Sequence, residues 1–199
     1  MMLISSLQKI KKFLAILILI LTFQASSQAD DISDFEIEGM SLGDSALNFF
    51  SESDIKKNSK NHYRDKKFTP VQNNNYSFFK TYDAVDFNFK TGDKNYILHN
   101  INGILFYDNN IQDCYLKMDQ IIEYVETNIN YIKKFDKHTV KHSADKTGKS
   151  KFTEAYFKLN DGYIVITCYD YSKKHGSQDH LAVSVDTKEF SKWASGGIY

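Results

Sequence analysis

The sequence contains few cysteines, prolines and arginines. Only two of its 199 residues are cysteine, and neither lies directly after the apolar segment of residues 13–23, which argues against a lipoprotein. Pro70 and Arg64 are the single examples of their types. We interpret that bias as a low-GC coding preference without functional meaning. About 170 residues remain after the leader, enough for one domain to bury a core without obligatory metals or many disulfides.

The sequence also lacks a long hydrophobic run. Residues 13–23 form a run of 11 residues in which only Thr22 is not apolar, well short of the roughly 20 needed to cross a bilayer as a helix. Lys9, Lys11 and Lys12 precede this run, and the small-residue segment 25–29 follows it. We therefore predict that residues 1–29 are a cleaved signal peptide and that no transmembrane segment remains after cleavage. Residues 30–199 are then a single periplasmic or secreted domain.

An excess of positive charge is missing as well. The chain has 25 basic and 25 acidic residues; the leader holds three lysines and no acid, so residues 30–199 carry a net charge of about −3. This balance disfavours nucleic-acid binding. One polar segment is locally basic and could contact an anionic lipid or glycan, although a solvated loop has the same composition. Its basic residues are Lys56, Lys57, Lys60, Arg64, Lys66 and Lys67, with His62 beside them and Asp65 as the only acid.

Hydrophobic periodicity predicts an α+β fold. Between residues 110 and 132, apolar residues recur every three or four positions, among them Cys114, Met118 and Val125, as on one face of an amphipathic helix. Alternating segments around residues 85–89, 157–168 and 181–185 predict strands, with Gly-containing turns between them. We predict an antiparallel β-sheet with helices packed mainly on one face.

A short internal match suggests two tandem units. Residues 37–40 align with residues 101–104 at an offset of 64, and Asp44 then aligns with Asp108. Both aspartates stand where a helix N-cap is expected, because a short carboxylate accepts from the unpaired N–H groups of the first turn. This predicts helix-then-strands units at residues 35–100 and 101–199, although so short a match also arises by chance.

The segment Gly43-Asp44-Ser45 raises the question of a serine nucleophile. In some esterases a Gly-Asp-Ser block near the N-terminus carries the nucleophile, and an Asp-x-x-His pair near the C-terminus supplies the base. None of the six histidines here has an aspartate three residues before it. We therefore predict that Ser45 is a polar residue at the start of a helix.

Residues 143–150 resemble two phosphate motifs without matching either. Gly148-Lys149-Ser150 ends like a phosphate-binding loop, but Ser143 stands where that loop requires glycine, and the residues that follow favour a strand. Residues 145–148 also resemble the phosphorylated motif of cation-pumping ATPases, except that Lys149 replaces its threonine. We predict a Gly-containing turn between two strands.

Histidines form two groups that a metal ion could bind. His138 and His142 are four residues apart, and a second polar group lies near residue 180. If the two strands are neighbours, imidazole and carboxylate ligands would meet, although a hydrophilic context equally predicts solvated histidines. The candidate metal ligands are His138, His142, His175, Asp179 and His180.

Both cysteines are predicted to point into the core. Cys114 lies on the apolar face of the long helix, and Cys168 shares a strand face with Ile164 and Ile166. In an oxidising compartment they can form a disulfide, while the alternative is two reduced, buried thiols. A catalytic cysteine is disfavoured because neither position is electropositive and exposed.

Aromatic residues are abundant, with 13 tyrosines and 15 phenylalanines. We expect most of them in the core or on strands, and an exposed aromatic groove on the sheet is the alternative. Near the C-terminus, Asp186 and Glu189 have the spacing of a helix-capping box, and Phe190 and Trp193 would share one face of the helix that follows.

These features together carry a resemblance. Residues 34–45, the Cys114 helix, residues 143–150 and residues 183–190 resemble short exported proteins of unknown function from streamlined marine alphaproteobacteria of the Pelagibacter type, a set that brings no activity to transfer. The tandem units are similar, at fold level only, to β-lactamase inhibitor proteins and small outer-membrane assembly lipoproteins.

Every catalytic motif considered above lacks a required partner residue. We therefore expect an exported, non-enzymatic envelope protein without a cofactor, which binds an unidentified envelope protein or a small ligand. The alternative is a metal-dependent or hydrolytic enzyme that uses the His138/His142 and His175/His180 groups.

Overall fold

A computed structural model describes residues 32–61, 63–73, 79–107, 110–143 and 145–196. The predicted signal peptide lies outside the described residues. Within them, the chain forms one seven-stranded antiparallel sheet and three α-helices, so the predicted α+β fold is confirmed. The strands are β1 (Phe68–Asn73), β2 (Ala84–Lys90), β3 (Leu98–Phe106), β4 (Lys133–Lys141), β5 (Lys151–Lys158), β6 (Gly162–Asp170) and β7 (His180–Thr187). The helices are α1 (Glu52–Asn58), α2 (Ile111–Asn128) and α3 (Lys188–Ala194).

The sheet joins two meanders at its centre. Its strand order is β1-β2-β3-β7-β6-β5-β4, and every neighbouring pair is antiparallel. The last strand of the first meander, β3, pairs with the last strand of the second, β7, with Ile101 opposite Val185. Within the described residues, no helix has the length and apolar character needed to cross a membrane.

Helix α2 covers the sheet through the face that the sequence predicts. Cys114, Met118, Ile122 and Val125 are buried on it, and burial of each such side chain contributes about 1.5–3 kcal/mol. The predicted end at residue 132 is too late, because Ile129 already has an extended backbone and Ile132 is 59 % exposed. The apolar spacing continues beyond the end of the helix, into the residues where the chain turns toward β4.

The face of the sheet that carries α2, called here the inner face, is covered over β1–β3 by the segment before β1. Phe50 stacks on Phe87 with 5.3 Å between ring centroids, and Ile55 of α1 is buried in the same core. The carboxylate of Glu38 accepts hydrogen bonds from three successive backbone N–H groups, of residues 80–82, at 2.6–2.9 Å. Glu38 therefore joins this cover to the segment that leads into β2.

The disulfide between Cys114 of α2 and Cys168 of β6 is present, which confirms that prediction. The two cysteines are 54 residues apart. In the chain-entropy model a closed loop of this length stabilises the fold by roughly 4 kcal/mol. The bond fixes the long helix to the centre of the second meander.

The short internal match does not correspond to equivalent structures. Gly39 lies in a tight turn with φ of 79°, whereas Gly103 lies within β3, opposite Val85 and Val183. The order of α-helices and strands is nevertheless helix, three strands, helix, four strands and a final helix. Division of the domain into units 35–100 and 101–199 therefore stays a prediction.

The predicted helix caps need correction. Ser45, and not Asp44, caps the 3-10 helix Ala46–Asn48, while the Asp44 carboxylate accepts from the Ser41 N–H at 2.9 Å. Asp108 lies outside the described residues. At the start of α3 the cap is Thr187, because Asp186 still belongs to β7 and points away from the helix N-terminus into a hydrogen bond with Asn100.

The opposite face of the sheet, called here the outer face, is partly covered by α3. Phe190 and Trp193 share one helix face, as predicted, and pack with Phe68 and Tyr63 in a second apolar cluster. Phe68 alternates with the inner-face residue Val71 along β1, which places this cluster on the outer face.

Candidate functional site

A row of rings crosses four neighbouring strands on the outer face. Phe106 of β3 is opposite His180 of β7, His180 is opposite Tyr169 of β6, and Tyr169 is opposite Phe152 of β5. Directly paired residues of an antiparallel sheet project to the same face. The inner-face residues Cys168 and Leu181 alternate with this row, so it lies on the face opposite α2.

The rings of this row contact one another. The centroid distances are 6.2 Å for Phe106–His180, 4.6 Å for Tyr169–His180 and 5.7 Å for Phe152–Tyr169. All lie within the 4.5–7 Å range of favourable ring pairs. The row is therefore one continuous surface.

Three further rings adjoin the row beside Tyr169. Tyr171 stacks on His175 at 4.7 Å and lies 5.3 Å from His142, and the two imidazoles are 5.5 Å apart. All of these side chains are half-buried. The seven residues are called the ring cluster: Phe106, His142, Phe152, Tyr169, Tyr171, His175 and His180.

Two aspartates hold the loops that carry the imidazoles. Asp145, in the β4–β5 loop, accepts from the N–H and hydroxyl of both Thr147 and Ser150 at 2.6–2.9 Å and from the Ser172 hydroxyl at 3.0 Å. It thereby ties this loop to the chain after β6. Asp179 accepts from the Tyr171 N–H at 2.7 Å, which fixes the backbone that carries the Tyr171 ring.

The cluster favours the neutral forms of His142 and His180. Burial lowers the pKa of His142, and the neighbouring His175 lowers it further, while Asp145 opposes the shift. Burial likewise lowers the pKa of His180. The His180 Nδ1–H donates to the Gln178 carbonyl at 3.0 Å, whereas the buried Nδ1 of His142 has no hydrogen-bond partner within the described residues. At neutral pH His142 and His180 therefore present uncharged rings with polar edges.

The predicted metal ligands are brought only partly together. His142, His175 and His180 belong to the ring cluster, but they pack against tyrosine rings. His138 lies apart, with its Nε2 3.1 Å from Glu154 Oε1 and its ring stacked on Tyr156. Asp179 is bound to the Tyr171 amide. In the part of the chain that the structure describes, no three His, Cys, Asp or Glu side chains form a group that could hold a metal ion.

Ser45 has the structural role that the sequence predicts. Its hydroxyl donates to the Asn95 carbonyl at 2.6 Å and accepts from the Leu47 N–H at 3.3 Å at the start of a 3-10 helix. Residues 145–150 lie in the predicted turn between β4 and β5, with Gly148 at φ of 66°. The Ser150 hydroxyl donates to the Asp145 carboxylate at 2.6 Å, so the described residues of this turn have a structural role.

A buried amide–carboxyl network on the outer face was not predicted. The Asn88 amide donates to Asn100 Oδ1 at 2.7 Å, and the Asn100 amide donates to Asp186 Oδ1 at 2.5 Å and to Asn102 Oδ1 at 3.0 Å. Burial raises the pKa of Asp186 to about 7, with the Asn100 bond opposing it. Strand alternation would have placed these residues on one face, but it does not indicate that they are covered.

The basic segment of residues 56–67 is partly neutralised. Lys56 pairs with Glu52 at 2.7 Å, Lys67 pairs with Glu189 at 3.2 Å, and the Lys66 ammonium donates to the Tyr63 carbonyl at 2.7 Å and to Asn61.

Lys60 and Lys66 line a cavity of about 280 Å³ with Tyr63, Phe68 and the strand residues around them. Lys57 and Arg64 are exposed, and His62 lies outside the described residues. Anionic binding by this segment stays a prediction.

Comparison of the chain with protein-family models, with curated proteins and with solved structures finds no match.

Proposed function

We propose that this protein is an exported, non-enzymatic binding protein of the cell envelope, and that its ligand or partner binds at the ring cluster. The observation that carries the proposal is the continuous row of rings from Phe106 to Phe152 on the sheet face opposite α2. Export is supported by the leader-like residues 1–29 and by the Cys114–Cys168 disulfide, since disulfides persist in oxidising compartments.

The chemistry of the cluster selects the class of ligand. Neutral imidazole and phenol rings offer flat apolar faces for stacking and polar edges for hydrogen bonds. A group with the same division, such as a sugar ring or an aromatic side chain, fits this surface. The rings are fixed by paired strands and by the Asp145 and Asp179 bonds, so little conformational freedom is lost on binding.

The alternative, a metal-dependent or hydrolytic enzyme, has less support. Its proposed ligand His138 is paired with Glu154, the described residues contain no group of three ligands that could hold a metal ion, and Ser45 is hydrogen-bonded to the Asn95 backbone. The order helix, three strands, helix, four strands, followed by α3, is compatible with the fold-level similarity to β-lactamase inhibitor proteins, which we retain as a proposal about architecture alone.

The proposal is tested with residues 30–199 as bait in periplasmic extract, followed by titration of the recovered species. We expect the double variant Tyr171→Ala/His175→Ala to lose most of the affinity and Tyr124→Ala, which removes an exposed tyrosine from α2, to keep it. Circular dichroism checks that both variants fold. Equal binding by both variants contradicts the proposal. Recovery of stoichiometric zinc that the His142→Ala variant lacks would favour the enzyme alternative instead.

A further inference from the structure

We propose that the β4–β5 hairpin, residues 131–158, docks on an anionic phospholipid membrane surface, with lysines against the headgroups and Ile132, Phe135 and Val140 in the interfacial layer. This contact goes beyond the proposed function, since it uses the sheet edge and does not require a ligand at the ring cluster.

Charge is concentrated in the hairpin. Residues 131–158 contain eight lysines and three acidic residues, a net charge of +5, while residues 30–199 as a whole carry −3. The remainder of that region therefore carries −8. A protein with this asymmetry approaches an anionic surface with the hairpin first, because the negative surface attracts the hairpin lysines and repels the acidic remainder.

The acidic residues of the hairpin are already engaged. Asp145 is held inside its loop by five hydrogen bonds, and Glu154 pairs with His138. Among the described residues, three hairpin lysines form ion pairs. Lys134 pairs with Glu126 and Asp136, Lys137 pairs with Asp119, and Lys151 pairs with Asp170. The lysines without an ion pair in the described part of the chain are Lys133, Lys141, Lys146, Lys149 and Lys158.

Exposed apolar side chains lie in the same segment. Of the seven large hydrophobic residues that are exposed in the described chain, four fall within residues 131–140. Phe135 is 40 % and Val140 39 % exposed, and both project from the outer face of β4, opposite Tyr156 and Phe152. Ile132, just before β4, is 59 % exposed.

The position of the hairpin lets both features reach one surface. β4 is an edge strand, so the described residues place no further strand beside it. The Lys133 ammonium lies 4.3 Å from the Phe135 ring centroid, so a cation and an apolar ring are presented together. Lysines beside aromatic and aliphatic side chains suit the boundary between headgroups and acyl chains. A soluble polyanion would use the lysines but gain little from Phe135 and Val140.

Vesicle cosedimentation of residues 30–199 tests the proposal. We expect binding to phosphatidylcholine vesicles that contain one quarter phosphatidylglycerol, weak binding to phosphatidylcholine alone, and release by salt. The triple variant Lys133→Gln/Lys141→Gln/Lys149→Gln should bind about a hundredfold more weakly, at about fivefold per lysine. Its matched control, Lys80→Gln/Lys94→Gln/Lys117→Gln, removes three exposed lysines elsewhere and should bind nearly as the wild type does.

A second pair of variants separates a membrane from other anionic partners. Phe135→Ser/Val140→Thr should weaken vesicle binding, whereas Leu47→Ser/Tyr124→Ser, which removes side chains that are each 43 % exposed, should not. Loss of binding by the control triple to the same degree, or equal binding to neutral vesicles, overturns the proposal. So does unchanged vesicle binding by Phe135→Ser/Val140→Thr with equally tight binding of dextran sulfate, which would identify a general polyanion surface.

Discussion

The side chains of Asn100 and Asp186 meet across β3 and β7, with the Asn100 amide donating to Asp186 Oδ1 at 2.5 Å. Asn100 is 2 % and Asp186 8 % exposed. A carboxyl group is thus kept on the outer face of the sheet with an amide as its hydrogen-bond partner. That arrangement makes the fold sensitive to pH.

The contribution of Asp186 to the free energy of unfolding should decrease as pH rises. Burial raises its pKa to about 7, against about 4 in an unfolded chain. Between about pH 4 and pH 7 the folded state therefore holds a proton that the unfolded state has released, and the free energy of unfolding falls as pH increases. The stability is complete below pH 4 and lost as pH passes 7, a difference on the order of 4 kcal/mol for this group.

The Asp186→Asn variant removes this titration. Urea unfolding across the same window should show that the variant gains stability relative to the wild type as pH rises. Asp86, whose pKa burial also raises to about 7, remains in both proteins as an internal reference. Parallel pH profiles of wild type and variant would contradict the prediction.

Asp145 should act in the opposite direction. The hydroxyl of Ser150 is the largest cause that lowers its pKa, followed by that of Thr147. Its contribution to stability is therefore present above about pH 4, the unfolded value, and is lost as pH falls below it. We expect Asp145→Asn to unfold at lower urea concentration at neutral pH, with the difference shrinking in acid.

Asp136→Asn is the matched control for Asp145, because it lies in the same hairpin with its side chain 91 % exposed. It should change the unfolding midpoint little, since exposed ion pairs contribute little. If both variants unfold alike, the hydrogen bonds of Asp145 do not stabilise the loop.

The disulfide should set stability under oxidising conditions. The double variant Cys114→Ala/Cys168→Ala should lose roughly 4 kcal/mol of unfolding free energy, since its unfolded chain regains the entropy of a 54-residue loop. Guanidinium unfolding with and without dithiothreitol measures this. The wild type should respond to the reductant and the double variant should not; a response of both would place the effect elsewhere.

The sequence predicts this fold well where burial is periodic and poorly where contacts depend on register. Met118 and Val125 mark α2 because their spacing repeats over many residues. Ile132 continues that spacing by coincidence, so the predicted helix is too long. The ring cluster depends on His180 standing opposite Tyr169, a register that no local pattern specifies. Asp186 looked like a helix cap because its neighbours fit a capping box, yet strand pairing with Asn100 outweighs that local preference.

Gly103 should be intolerant of any side chain because of Tyr82. A Cβ atom at Gly103 would lie 2.5 Å from the Tyr82 ring, and burial of that tyrosine raises its pKa to about 12. The ring therefore covers the glycine backbone of a central strand. We expect Gly103→Ala to cost about 1–3 kcal/mol, the usual penalty of overpacking, measured by urea unfolding.

The companion variant Tyr82→Leu shows whether that cost arises from the ring. Tyr82→Leu alone should destabilise, because it uncovers part of β3. In the double variant Gly103→Ala/Tyr82→Leu, the alanine methyl occupies space that the ring has left. The double variant should therefore lose less unfolding free energy than the sum of the losses of the two single variants. Gly92→Ala serves as the contrast, since nothing lies within 4 Å of its added Cβ and its cost arises from φ of 85° alone, which Tyr82→Leu cannot relieve. Strict additivity of Gly103→Ala and Tyr82→Leu would mean that the strand, and not the tyrosine ring, requires the glycine.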